Sequence, residues 1–297
     1  IFIPLIQKKT GFKLNKDFYV GYSPERIDPG ISKYKLINQT KIISGSNNKA
    51  LKMLNHIYGK IIKKKLHATK DIKTAEAAKI IENTQRDINV AFVNELSVLF
   101  HKLDINTKDV LSAAKTKWNF LDFKPGLVGG HCIGVDPYYL KYKAIKSGLK
   151  PKIISSGREV NDNMPNFIFN EILKVMKSKK KETRDNKILF LGITFKENCN
   201  DFRNTKVIDI VKNVKSYGMN PVIVDPIVDK DDAFIEYGID ILDKIPLHKN
   251  FKAIIVAVAH KQFKSLEKSD WEIIKSSNCV LLDIKNILPN DIEAITL

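Results

Sequence analysis

The chain has 297 residues, 43% hydrophobic and 28% charged, with a formal net charge of +17. This length allows two or three domains, and this balance is that of a soluble globular chain, which excludes disordered, collagenous and coiled-coil arrays. Only five of the 50 basic residues are Arg; a diffuse lysine excess is a poor base-reading surface, so no nucleic-acid partner is expected and a phosphorylated small molecule meets the charge with less.

Ile1–Leu5 reads as part of a strand, and no charged-then-apolar leader pattern opens the sequence. Phe18–Tyr22 and Lys41–Ser44 are β-rich, with the turn-laden SPERIDPG between them. Ala50–Lys64 has helical spacing, with Leu51, Leu54, Ile57 and Ile61 on one side. Thr74–Leu103 contains neither Gly nor Pro. Ala75, Ala77 and Ala78 favour helix there, and Val90, Val93, Leu96, Leu99 and Phe100 give a broad apolar face. Such a helix spans about 45 Å, long enough to be a spine shared by domains or subunits. Asn106 is placed to cap a further short helix to about Ala114, and an aromatic, Gly- and Pro-rich loop, Lys117–Asp136, precedes more helix to about Lys179.

Lys177–Asn186 (KSKKKETRDN) reads as a linker. Behind it, KILFLG, PVIVD, KAIIVAV and CVLLD are four short apolar runs, each followed by a helical or polar stretch. That rhythm predicts buried parallel strands of an α/β unit, with Asp225 ending the second strand and Asp283 the last. No apolar run approaches the roughly 20 residues of a bilayer span, so no membrane partner is expected.

Three cysteines, Cys132, Cys199 and Cys279, form neither a disulfide framework nor a CxxC pair, so no metal site is expected and a reducing cytoplasm is the natural setting. In GGHCIGVDPYYL, Gly129 and Gly130 permit close backbone approach beside Cys132, and on a helical turn Asp136 falls on the same side as the thiol. A buried structural cysteine and a Cys–His hydrolase with His131 are the other readings. Lys79, Asn83 and Arg86 share one helical stripe. The stripe is either a solvated face or, beside Ala75 and Ala78, a partly buried ammonium and amide able to stabilise an oxyanion. Glu25 sits on a Pro-bounded turn suited to acid–base or water-orienting work, or is an exposed loop charge. Lys196 and Arg203 follow the first strand of the last unit, where parallel sheets bind ligands, and can hold phosphates. No GxGxxG occurs in the chain.

Taken together, GYSPERIDPG, AEAAKIIENTQRDIN, TKWNFLDFKPGLVGGHCIGVDPYYL, GREVND and TFKENCNDFRN resemble the UDP-glucose/GDP-mannose dehydrogenase family, in the branch acting on UDP-N-acetyl-hexosamines for surface polysaccharides. The resemblance covers essentially the whole chain. It implies a four-electron oxidation of a sugar C6 alcohol to a carboxylate with two NAD+, through a cysteine thiohemiacetal and thioester. It implies Cys132 as nucleophile, Lys79 and Asn83 as alkoxide and oxyanion stabilisers, Asp136 as a proton-transfer partner and Glu25 as the residue linked to the hydrolytic water. Arg86, Phe120, Gly126, Gly129, Lys196 and Lys285 would bind the nucleotide sugar, Lys285 at the uridine, and Arg203 would reach the NAD.

The resemblance also implies an α/β architecture: a remnant of an NAD-binding domain over residues 1–70, a helical central domain over 71–180 with the spine, and a UDP-sugar domain over 186–297. A homodimer through the spine helix is expected. Pro29 stands where the glucose branch has a second glutamate, while Asp28 and Ile31 depart from the N-acetyl branch. The family's GxGxxG domain has no counterpart here, so the chain is expected to be partial, to bind NAD poorly and to be inactive alone. The rival readings are a non-catalytic module binding UDP-sugar or nucleic acid, and a glucose- or mannose-specific dehydrogenase.

Overall fold

A computed structural model describes residues 2–27, 36–178, 186–246, 251–276, 279–289 and 291–297. Asp28, Pro29, Gly30 and Ile31, and the heart of the expected linker (179–185), lie outside the described residues. The chain divides into two compact units, Ile1–Asn83 and Thr84–Leu297.

The first unit opens with a helix, α1 (Phe2–Thr10), where a strand is expected. Phe2, Leu5 and Ile6 repeat at helical spacing, Pro4 sits in the tolerant first turn, and Lys8 and Lys9 complement the dipole of the last turn. Gly11 stops the helix in the left-handed region (φ +73°), its N–H closing on the Gln7 carbonyl at 2.9 Å. Of the run Phe18–Tyr22 only β1 (Gly21–Tyr22) is strand. It pairs antiparallel with β2 (Lys41–Gly45), and β2 pairs parallel with β3 (Leu66–Ala68). Parallel strands need a crossover, which is α2 (Asn48–Ile61), started by Asn47 capping the Ala50 N–H. Leu54 of α2 covers Gly21 closely enough that a Cβ there would meet it at 2.6 Å. The same stripe of α2 leaves Ile57 and Ile61 exposed.

The spine helix, α3 (Ile72–Leu103), has 32 residues and therefore runs about 48 Å. The Asp71 carboxylate accepts the Thr74 N–H at 2.8 Å at its start. In the second unit α4 (Thr107–Ala114) is capped by Asn106 as expected. α5 (Asp136–Lys146) carries Pro137 in its first turn, and α6 (Lys152–Ser178) is one long helix that runs into the expected linker.

The four expected strands are β4 (Lys187–Leu191), β5 (Asn220–Val224), β7 (Phe251–Val256) and β8 (Val280–Asp283), all parallel. Two short strands that the sequence does not announce, β6 (Ile241–Leu242) and β9 (Ile295–Thr296), complete the order β6-β5-β4-β7-β8-β9. This is the doubly wound order, with its switch point between β4 and β7. The strands read as unbroken apolar runs because both faces are buried. Ile188 and Phe190 pack with Met164, Ile168 and Ile172 of α6 and with Val211 of α7 (Val207–Ser216). Leu189 and Leu191 pack on the other face with Phe263, Trp271 and Ile274. Each such side chain stabilises the fold by about 1.5–3 kcal/mol.

Candidate active site

In the second unit the cysteine turn docks on the loop that leaves β4. Cys132 is exposed, and its carbonyl accepts the N–H groups of Val135 (3.1 Å) and Asp136 (2.8 Å). One helical turn thus carries the thiol residue into α5, with Asp136 half-buried at the helix start. The paired glycines make the docking possible. A Cβ on Gly129 would stand 2.5 Å from the Asn204 carbonyl oxygen, and one on Gly130 (φ +85°) would stand 2.7 Å from the Phe195 ring. The Gly130 N–H donates to Asn204 O at 3.3 Å. The turn bearing Cys132 and the loop bearing Lys196 and Arg203 are therefore one packed assembly.

Two other expected residues, Gly126 and Lys285, meet each other. Lys285 follows β8, and its Nζ stands 3.7 Å from the position of a Cβ on Gly126. Its side chain keeps contact with solvent, which moderates the effect, but the surrounding protein desolvates the ammonium and holds its pKa below the ordinary lysine range, with Glu197 and Asp283 pulling the other way. Phe120 is half-buried in the loop before Gly126. The exposed Arg203 is gripped on one edge by Asp201, Nε to Oδ1 at 2.9 Å and Nη2 to Oδ2 at 2.6 Å. The hydrogen bond from Arg203 chiefly holds the Asp201 carboxyl below its usual range. Arg86 is exposed on α3. A surface depression lined by Lys230, Phe234 and Ile241 lies at the β6 edge of the sheet, apart from the β4/β7 switch point.

A buried polar chain braces this assembly, and sequence reasoning missed it. Asn94 accepts the Gly126 N–H at 2.8 Å and donates to Gly126 O at 3.0 Å and to Asn161 Oδ1 at 2.8 Å. Asn161 donates to Asp87 Oδ1 at 2.7 Å, and Arg158 donates to the same oxygen at 2.6 Å. Burial pushes the Asp87 carboxyl up against the pull of Arg158. Asp162 accepts from Arg158, from the Tyr138 hydroxyl and, at 3.1 Å, from Lys206 Nζ. Its burial is outweighed by these partners, and its pKa lies below the usual carboxylate range. The motif GREVND holds Arg158, Asn161 and Asp162, so it reads as a brace. The available signal was the spacing of Asp87 and Asn94, two polar residues seven apart on the core-facing side of α3.

The first unit holds Glu25, Lys79 and Asn83. Lys79 is half-buried and Asn83 is buried on α3. Glu25 is exposed and accepts the Ile27 N–H. Its loop is tied down on both sides. Arg26 pairs with Glu82 of α3 at 2.9 Å, and the buried Lys41 donates to Pro24 O at 2.6 Å. Among the described residues no cluster of three His, Cys, Asp or Glu is arranged to hold a metal, and no helix is long and apolar enough to cross a membrane.

Residues 73–163 match the central domain of the UDP-glucose/GDP-mannose dehydrogenase family, and residues 189–290 match its UDP binding domain. By class the chain is a nucleotide-sugar oxidoreductase. It belongs to the UDP-glucose/GDP-mannose dehydrogenase family. It is 47% identical over 287 residues to a UDP-N-acetyl-D-glucosamine 6-dehydrogenase of Salmonella typhi, covering 97% of this chain and 67% of that protein. It is 45% identical over 289 residues to Protein CapL of Staphylococcus aureus, covering 97% of this chain and 68% of that one. Among solved structures it resembles a UDP-D-ManNAc dehydrogenase from Pyrococcus horikoshii, with TM-score 0.85 and 27% identity over 99% of this chain and 68% of that chain.

Proposed function

We propose that the protein carrying this chain oxidises the C6 alcohol of a UDP-N-acetyl-hexosamine to the uronic acid, in the cytoplasm, for surface polysaccharide synthesis. The observation that carries the reading is the exposed Cys132 on a glycine turn packed against the loop of Lys196. The names of the relatives with 47% and 45% identity point the same way.

Two NAD+ molecules, bound one after the other, would each accept one hydride from C6. The fit of this chain to NAD is partial. Arg203 offers an exposed guanidinium already oriented by Asp201, whereas no stretch of the 297 residues is a GxGxxG pyrophosphate cradle.

The chain's own residues do the rest. The alcohol loses a hydride from C6 and a proton from its oxygen, the proton passing to solvent, and an aldehyde remains. The Cys132 thiolate adds to that carbonyl carbon, and the new oxyanion is stabilised by the ammonium of Lys79 and the amide of Asn83. Loss of the second hydride from this thiohemiacetal leaves a thioester on Cys132. Water, oriented by Glu25, adds to the thioester carbon. The C–S bond then breaks, releasing the carboxylate and returning a thiol whose proton Asp136 handles. Lys196, Lys285, Arg86, Phe120, Gly126 and Gly129 bind the nucleotide sugar.

In domain terms, residues 1–70 belong with NAD binding, 71–180 with catalysis and dimerisation, and 186–297 with UDP-sugar. Ile81, Phe92, Leu99 and Leu103 fall on one exposed apolar stripe of α3, which supports a homodimer through the spine. The test is stoichiometry. Each UDP-N-acetylglucosamine consumed yields two NADH and one uronic acid, and Cys132→Ser abolishes both. A single NADH per sugar, or acid formation by the Cys132→Ser variant, overturns the reading.

A further inference from the structure

A buried histidine lies at the switch point of the sheet, outside the catalytic set. His260 follows β7, is fully buried, and immediately precedes the short helix Lys261–Lys264. Its Nδ1 takes the backbone N–H of Asn198 at 3.0 Å. A backbone amide only donates, so Nδ1 carries no proton and the ring proton sits on Nε2. That nitrogen faces Asp225 Oδ2 at 3.1 Å and Thr194 Oγ1 at 3.2 Å. Both are ready acceptors. The Thr194 hydroxyl already spends its own proton on Lys196 O at 2.8 Å. Asp225 takes the N–H groups of Ile193 (2.8 Å), Ile227 (3.0 Å) and Val228 (3.3 Å), as an ionised carboxylate does. The imidazole is therefore neutral and of one tautomer.

What the ring holds is the loop that carries Lys196. Asn198 sits in the left-handed region (φ +55°), which asparagine adopts more readily than most side chains but still at some cost. Two contacts hold it there: the His260 acceptor, and the Asn198 side chain receiving the Lys261 N–H at 2.9 Å. On the other side of Lys196, Thr194 fixes its carbonyl, and the neighbouring Phe195 packs on Gly130 of the cysteine turn.

We infer that His260 is a positioning residue for nucleotide-sugar binding, acting as the Nε2-protonated neutral imidazole through Thr194 and Asn198 on the backbone of Lys196. The inference rests on the reading of Lys196 as a substrate ligand. It predicts an asymmetry between amide replacements. His260→Asn keeps an acceptor where Nδ1 stands, whereas His260→Gln keeps only a donor toward Asp225.

The test combines imidazole nitrogen NMR, hydrogen exchange at the Asn198 amide and titration with UDP-N-acetylglucosamine, all on the whole protein. The wild type shows an unprotonated Nδ1 and a protected Asn198 amide. His260→Ala and His260→Gln lose that protection, with β4 amides unchanged, and bind UDP-N-acetylglucosamine about tenfold more weakly, the worth of one hydrogen bond. His260→Asn stays within about threefold of wild type, and in turnover KM rises for the two weak variants while kcat holds within about twofold. A protonated Nδ1, an Asn198 amide that stays protected in His260→Ala, or kcat falling in step with KM overturns the inference. Wild-type protein that fails to bind UDP-N-acetylglucosamine removes Lys196 as a ligand, while the tautomer and the amide exchange still decide whether His260 holds the loop.

Discussion

Asn94 grips Gly126 by both halves of its amide, accepting the glycine N–H at 2.8 Å and donating to its carbonyl at 3.0 Å. The partners fix the orientation of the amide, since an N–H needs the oxygen and a C=O needs the nitrogen. Truncation to Ala strands two buried backbone groups and the Asn161 oxygen. Asn94→Ala is expected to lose about 3 kcal/mol of stability by denaturant unfolding and to weaken UDP-sugar binding. Asn94→Asp keeps the acceptor but turns a buried carboxylate toward two acceptor oxygens, and should be no more stable than the Ala variant at pH 7. Equal stability of Asn94→Ala and wild type contradicts the clamp.

Gly130 and Gly148 share almost the same backbone, φ +85° and +81°, but not the same surroundings. A Cβ at 130 meets the Phe195 ring at 2.7 Å, while at 148 nothing lies within 4 Å. Gly148→Ala should cost only the left-handed strain, about 1 kcal/mol. Gly130→Ala adds overpacking and should cost about 2–4 kcal/mol, with loss of turnover. Equal melting temperatures for the two variants would show that the cysteine turn is not packed against Phe195.

Asp162 gathers Tyr138, Arg158 and Lys206, and these partners hold its pKa below the usual carboxylate range despite burial. A depressed folded pKa stabilises the fold above the unfolded value of about 3.9, and that stability is lost as pH falls through the folded value. Asp162→Asn should be less stable than wild type at pH 7 by about 1–2 kcal/mol, and the gap should close on acidification below about pH 4. A gap that persists unchanged in acid refutes the assignment of charge.

At Lys285 the shift concerns a cation. Its surroundings lower the ammonium pKa, so the positive charge near Gly126 is lost at a lower pH than for a free lysine, about 10.4. UDP affinity should fall as pH rises toward that range, and Lys285→Arg, which stays protonated, should remove the alkaline loss. An alkaline limb unchanged in the Arg variant excludes Lys285 as its origin.

How much was legible in the sequence follows from how each feature is stabilised. β4, β5, β7 and β8 were readable because burial on both faces makes them apolar throughout. α3 was readable from its uninterrupted helix formers, and α4 from Asn106. The opening helix was misread because Phe2, Leu5 and Ile6 look as apolar at strand spacing as at helical spacing, and none of its residues is buried to arbitrate. β6 and β9 are two residues each and exist only as pairings. The glycine pair and Cys132 form a local, sequence-visible pattern, and Lys196 stands out in a motif of its own. The brace around Gly126 and the histidine contact at the switch point are not: Asp87 and Arg158 lie 71 positions apart, and Asp225 and His260 lie 35 apart. Only the fold joins them.

In the proposed reaction the sugar is held as a thioester on Cys132. The direct measurement is peptide mass spectrometry of the acid-quenched protein after turnover with UDP-N-acetylglucosamine and NAD+, using Glu25→Gln to slow hydrolysis. The added mass of the oxidised nucleotide sugar is expected to accumulate on the peptide containing Cys132. Acid formation with no adduct there, or an adduct on Cys199 or Cys279 instead, contradicts the proposed reaction.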